Sequence, residues 1–190
     1  MSNLLLIHTT LDKAFVSIAQ NDTVVAVERN NNPREHGSFL HCAIEKVCLR
    51  AGIKYSNLNV IGVTHGPGSY TGIRVGLSAA KGLGYSLNIP LILCSTLKGL
   101  AATAVDMLQG KDVIYTPLIH ARQAEYYAGF YDKSVNNLRA DSLIDVTKNT
   151  LDIGSERKQF IFGIGLEEYY RLSGNAPEYK VLDIEESSFA

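Results

Sequence analysis

Three short apolar runs open the chain. Leu4 to Thr9, Lys13 to Gln20 and Thr23 to Glu28 read as strands, with Asn21-Asp22 as a tight hairpin turn between the second and third. In the second run Ala14, Val16 and Ile18 alternate with Phe15, Ser17 and Ala19, so both faces are largely apolar, which predicts a strand inside a covered sheet and not at its edge. Asn30-Asn31-Asn32-Pro33 breaks the pattern, and the spacing predicts a helix from about Ser38, as its cap, to Ala51, ended by Gly52. Its main stripe is Leu40, Ala43, Ile44, Val47 and Ala51. Cys42 and Leu49 fall nearly opposite, a second apolar patch beyond what one sheet covers, although soluble surfaces tolerate such a pair.

A strand from Leu58 to Thr64 leads through Gly66-Pro67-Gly68-Ser69-Tyr70-Thr71-Gly72 into a second helix ending near Asn88-Ile89-Pro90. Along it Gly72, Gly76, Ala80 and Gly84 recur every fourth position and make one ridge flat, so that another backbone can come close. Val75, Ala79, Leu83 and Leu87 form an apolar ridge beside it, leaving Arg74, Ser78, Gly82 and Ser86 as the polar row. A helix apolar around most of its circumference is buried on two sides, by its own sheet and by a further helix, which in so small a domain can come from another chain.

Pro90 to Cys94 reads as a strand and Thr96 to Leu108 as a helix closed by Gly110. The alternation β-β-β-α-β-α-β-α predicts an α/β layer with parallel members over residues 1–109. A second, weaker lobe over 110–190 has strands near Val113 to Ile119, Glu125 to Tyr131 and Phe160 to Ile164 and a short helix near Leu166 to Leu172, while Glu185 to Ala190 carries no periodic signal.

Composition narrows the function. The chain has 190 residues, 46% of them hydrophobic, enough to bury a core. No stretch reaches the ~20 apolar residues of a membrane span, and Met1 to Thr10 lacks the basic flank of a secretory signal, so cytoplasm is the expected compartment. A net charge of -1 gives no footprint for gripping a polyanion, and any nucleic acid must be held by something else; a local patch of Lys46, Arg50 and Lys54 reads more simply as a solvated helix end. Cys42, Cys48 and Cys94 lie in apolar segments without Cys-x-x-Cys spacing, as reduced, buried thiols do.

The glycine-rich turn is the strongest local feature, because strand, glycine loop and helix N-terminus together present N–H groups and a positive dipole end to an anion. It is not a Walker A loop, having five residues between Gly66 and Gly72 and no Lys-Ser or Lys-Thr after them; nor is it Gly-x-Gly-x-x-Gly, since Thr71 stands where the third glycine belongs. Phosphate binding and a purely structural turn both stay open on spacing alone. Ser69 and Thr71 read as turn or helix-start residues, and Gly68-Ser69-Tyr70 lacks the Gly-x-Ser-x-Gly elbow of a serine hydrolase. His36 and His41 stand about 140° apart around a helix and cannot chelate together, so the histidines read as structural or solvent-facing, with no metal site.

From His65 to Leu100 the run HGPGSYTGIRVGLSAAKGLGYSLNIPLILCSTLKGL resembles the signature stretch of the TsaB family, GPGSYTGIR with the following AAKGL being the specific part. LLLIHTT near the start and PLIHARQAEYYAGFY later resemble two further family segments. The resemblance implies a two-lobed, actin-like ATPase (ribonuclease H-like) α/β fold with mixed sheets and a reduced second lobe. It implies a non-catalytic scaffold subunit of the tRNA N6-threonylcarbamoyladenosine modification complex, paired with a catalytic TsaD-like paralogue, joined by a TsaE-like ATPase, and meeting tRNA only through the complex. Gly66, Pro67, Gly68, Ser69, Thr71, Gly72 and Arg74 are the signature positions. Family pairing runs through the first two helices, which places Leu40, Cys42, Leu49, Gly72, Gly76, Ala79, Ala80, Leu83 and Gly84 at a partner interface.

Two departures qualify the resemblance. Where the family commonly has Ile-Asp-Thr-Ser and Ile-Asp-Ala-Arg, this chain has Ile7-His8-Thr9-Thr10 and Ile119-His120-Ala121-Arg122. Both lose a carboxylate that a hard cation such as Mg²⁺ prefers, so no cofactor is expected on this chain by itself, with ATP or ADP left for the joint interface of the complex. Family members also continue past the equivalent of Glu185 to Ala190 into at least one further helix. An ATP-dependent phosphotransferase and a homodimeric binding protein remain as alternative readings.

Overall fold

In the computed structural model, residues 2–108, 112–148, 151 and 157–173 are described. The chain divides into two compact units between Thr96 and Leu97, earlier than the boundary expected after residue 109.

The first unit is built on β1 (Asn3–His8), β2 (Ala14–Gln20), β3 (Thr23–Asn30), β4 (Val60–Gly66) and β5 (Leu91–Ser95), in the order β3-β2-β1-β4-β5. The β1–β2 and β2–β3 pairs are antiparallel; β1–β4 and β4–β5 are parallel. As its two-sided apolar pattern predicts, β2 is internal and Ala14 to Ile18 are all buried. Asn21 and Asp22 both take positive φ (47° and 67°), the backbone that lets a two-residue turn follow the twist of its strands.

The helices α1 (His36–Arg50) and α2 (Tyr70–Leu87) pack on one face of this sheet. There Leu5, Ile7, Val16, Ile18, Ile61 and Val63 meet Leu40, Ala43, Ile44 and Val47 in a single core. Ser38 is not the cap of α1. A 3-10 turn over Pro33–Glu35, opened by the Asn32 side chain, feeds directly into the helix, and the Ser38 hydroxyl donates back to the Glu35 carbonyl at 3.0 Å. Gly52 does end it: at φ +68° it donates to the Leu49 carbonyl while Ile53 donates to that of Cys48, the paired bonds of a Schellman motif. Asn88 closes α2 in the same left-handed conformation.

The second unit holds α3 (Thr96–Leu108), whose first residue still belongs to the first unit, then β6 (Val113–Arg122), β7 (Glu125–Tyr131), β8 (Asn137–Asp145), β9 (Lys158–Ile164) and α4 (Leu166–Ser173). Its sheet runs β8-β7-β6-β9, antiparallel except for the parallel β6–β9 pair. That repeats the β3-β2-β1-β4 arrangement of the first unit without its fifth strand among the described residues. Each unit is thus a ribonuclease H-like mixed sheet, the second reduced. The sequence pattern misses β8, whose residues are nearly all exposed or half-exposed. The tail from Glu185 to Ala190 lies outside the described residues. Among them, no helix is long and apolar enough to cross a membrane.

Candidate functional site

Glycine stands in the loop before α2 because the end of β1 runs directly against it. A Cβ on Gly68 would lie 2.1 Å from the Thr10 carbonyl oxygen, and one on Gly72 would lie 1.9 Å from that of Thr9. Gly66 and Gly68 also take φ of +112° and +150°, where a side chain is strained. Pro67 follows Gly66 through a cis peptide and is half-buried.

The N–H groups that a phosphate would seek are partly engaged within the chain. Ser69 donates its N–H to Thr10 at 2.7 Å, and Gly72 donates to the Ser69 Oγ at 3.2 Å, making Ser69 the N-cap of α2 as expected. Thr9 Oγ1 donates to the Gly72 carbonyl at 2.7 Å, and the hydroxyls of Thr10 and Thr96 share a 3.0 Å hydrogen bond. Thr71 is exposed on the first turn of the helix. What the loop does in this chain is clasp β1.

His8 ends β1 fully buried and stacked on Phe15, ring centroids 4.6 Å apart. Burial, with His36 nearby, lowers its pKa to about 3, so the ring is neutral at physiological pH. His36 binds the Leu11 carbonyl through Nε2. In the second unit, His120 reaches the Gln123 carbonyl and tilts against Tyr126 at 4.9 Å. The His8 and His120 side chains are both imidazoles where the resemblance implies carboxylates, and the Thr9 and Thr10 hydroxyls are engaged, so these residues are poor ligands for a hard cation.

The small-residue row of α2 faces its own sheet. Gly72, Gly76, Ala80 and Gly84 are buried, and a Cβ on Gly76 would meet the Thr9 Oγ1 at 2.5 Å and the side chains of Val63 and Ile7 at ordinary contact distance. The close backbone that this row admits is β1, within the chain. Leu40 is likewise 1% exposed, so these five positions, expected at a partner interface, are covered already.

What remains open is a groove of about 720 Å³ between α1 and α2. Val75, Ala79 and Leu83 line it with apolar surface beside the buried Leu40, and His41, Thr71, Arg74 and Ser78 supply its polar lining. Arg74 lies over the Tyr70 ring, 5.4 Å from its centroid, and donates to its hydroxyl at 3.5 Å. Of the other expected interface positions, Ala79 and Leu83 are half-buried, Leu49 is 79% exposed, and Cys42 is exposed. Cys42 is therefore not the buried thiol that composition implies, whereas Cys48 is buried; all three cysteines are free.

A family model described as TsaD, tRNA N6-adenosine threonylcarbamoyltransferase, matches residues 24–161. A protein of Buchnera aphidicola from Schizaphis graminum, named tRNA threonylcarbamoyladenosine biosynthesis protein TsaB, is 30% identical over 78% of this chain and 71% of its own length. The chain belongs to the TsaB family. A second TsaB, of Buchnera aphidicola from Acyrthosiphon pisum, is also 30% identical, over 73% of this chain, which spans 62% of that relative's length. In fold, the TsaB-family chain is similar to YeaZ from Pseudomonas aeruginosa, with a TM-score of 0.81 and 21% identity over 96% of this chain and 85% of the other.

One pair of glycines in the second unit is not picked out by the sequence pattern. At the end of β9, Gly163 (φ +137°) and Gly165 (φ +76°) do in the second unit what Gly68 and Gly72 do in the first. A Cβ on Gly163 would lie 1.9 Å from the Leu118 carbonyl oxygen and one on Gly165 would lie 2.5 Å from the His120 Cβ, so the strand-glycine-helix turn again presses on the first hairpin of its sheet. The signal was present as Gly-x-Gly between a strand and a helix.

Proposed function

We propose that the chain is the non-catalytic docking subunit of the tRNA N6-threonylcarbamoyladenosine modification machinery, working in the cytoplasm, and that it engages a TsaD-like catalytic paralogue through the α1–α2 groove. The observation that carries this reading is a half-filled apolar groove between two helices that already bury their inner faces against their own sheet. Such a surface accepts helices from another chain by ridge-and-groove packing. The expected TsaE-like ATPase and tRNA would be met through the complex and not by this chain alone.

In this proposal the chain holds no nucleotide alone. The reading is supported by a glycine loop that spends two N–H groups internally and by a neutral histidine where a carboxylate would hold Mg²⁺. ATP or ADP would bind at the joint interface.

Light scattering on a sizing column, with the chain alone, the paralogue alone and an equimolar mixture, tests the assignment. A new one-to-one species is the expected result. Unchanged separate peaks would overturn it in favour of a self-sufficient homodimer, and magnesium-dependent ATP turnover by the pure chain would favour the phosphotransferase alternative.

A further inference from the structure

The charges on the two groove helices are lopsided. α2 carries Arg74 and Lys81 and no carboxylate over its whole length; α1 carries Lys46 and Arg50 against Glu45 alone. Four cations and one carboxylate thus mark this helix pair in a chain whose net charge is -1. Arg50 is spoken for by Glu28 of β3. Arg74 is different: it lines the groove, and its described contacts are with the neutral Tyr70 ring and hydroxyl. Lys81 stands exposed two turns further along the same helix.

An apolar groove with a guanidinium fixed at its edge asks for an apolar helix carrying a carboxylate. Arginine suits this role because its planar fork takes a carboxylate bidentately, and stacking on Tyr70 pre-orients it. A second copy of the chain is the poorer occupant: a twofold contact sets the same patch against itself, bringing Arg74 and Lys81 up to like charges. RNA is poorer still, since one groove cation over an apolar floor gives few phosphate contacts.

We propose that Arg74, backed by Lys81, is the specificity determinant of this groove, selecting a protein partner whose docking helices present carboxylates and disfavouring self-association. The proposal rests on the docking reading above, and its test separates the two.

The experiment is sedimentation of the full chain alone and with its TsaD-like paralogue from the same genome, at about 0.05 M and about 0.5 M salt, the higher value shortening the reach of charges to a few ångströms. The wild-type complex should weaken with salt while self-association holds or strengthens. Arg74→Glu should weaken the complex about tenfold or more. The same variant mixed with wild-type chain should pair more tightly than wild type with itself, because it supplies the missing carboxylate. Lys81→Glu should act in the same direction, and unchanged circular dichroism confirms that each exposed variant is folded.

A complex that forms but ignores both salt and Arg74→Glu overturns the charge assignment and leaves the docking reading standing. No complex with the wild-type chain at either salt overturns both. A homodimer that the paralogue fails to displace at low salt, or binding of tRNA by the chain alone that is lost in Arg74→Glu, also overturns the assignment.

Discussion

The carbonyl oxygen of Thr9 lies 1.9 Å from the point that a Cβ on Gly72 would occupy. The obstacle is backbone and cannot rotate away. Gly72→Ala must therefore push α2 off β1, breaking the Thr9–Gly72 hydrogen bond with it. The expected loss is about 3 kcal/mol, the upper end of the usual overpacking cost, seen as a lower urea midpoint with little change in slope.

Gly82, on the same helix, is the contrasting case. A Cβ there meets nothing within 4 Å. Gly82→Ala should stabilise the chain by up to about 1 kcal/mol, because alanine loses less backbone freedom in a helix interior. A thermal melt that moves down instead would mean that α2 at this turn is not a regular, exposed helix.

Most of the first unit was legible in the sequence, because hydrophobic period and turn chemistry agree there: the two-sided β2, Asn21-Asp22, the α1 stripe and Gly52 all stand as the pattern predicts. Direction was not legible. The row from Gly72 to Gly84 announces a close approach but not its partner, and the neighbour is Thr9, sixty-odd positions away in the chain (|i−j| = 63). Ser38 misled because a serine ahead of an apolar run is a cap only if the preceding backbone is extended, and here a 3-10 turn precedes it. β8 was missed because its Asn137 to Ser142 stretch offers almost no buried side chain to alternate. In the sequence Arg74 is one member of a polar row and one position of the signature stretch; its stacking on Tyr70 at the groove edge needed the structure.

Buried His8 makes stability depend on pH. Its folded pKa of about 3 lies below the ordinary 6.5, so between those values the unfolded chain binds a proton that the folded chain refuses. Its contribution is fully present above pH 6.5 and is lost as pH falls through the window, at about 1.4 kcal/mol per pH unit. His8→Phe keeps a ring against Phe15 and should flatten that slope. Denaturation midpoints at several values between pH 4 and 7 check this, and an unchanged slope in the variant would place the titration elsewhere.

Docking and folding can be separated because the two ridges of α2 face different neighbours. A bulky residue at Gly76 or Ala80 would test only the chain's own packing, since Gly76 is buried against Ile7 of β1 and Val63 of β4 and Ala80 is buried in the same core. Ser78 is exposed and lines the groove. Ser78→Trp puts an indole where a partner helix would lie while leaving the core untouched, so stability should change by no more than about 0.5 kcal/mol. Binding of the TsaD-like paralogue should weaken about a hundredfold if the groove is the docking surface, because the indole must be displaced or the helices must separate. Calorimetric titration of the folded variant decides it: wild-type affinity would show that the partner sits elsewhere, and then the exposed Leu49 on the outer side of α1 becomes the next position to change.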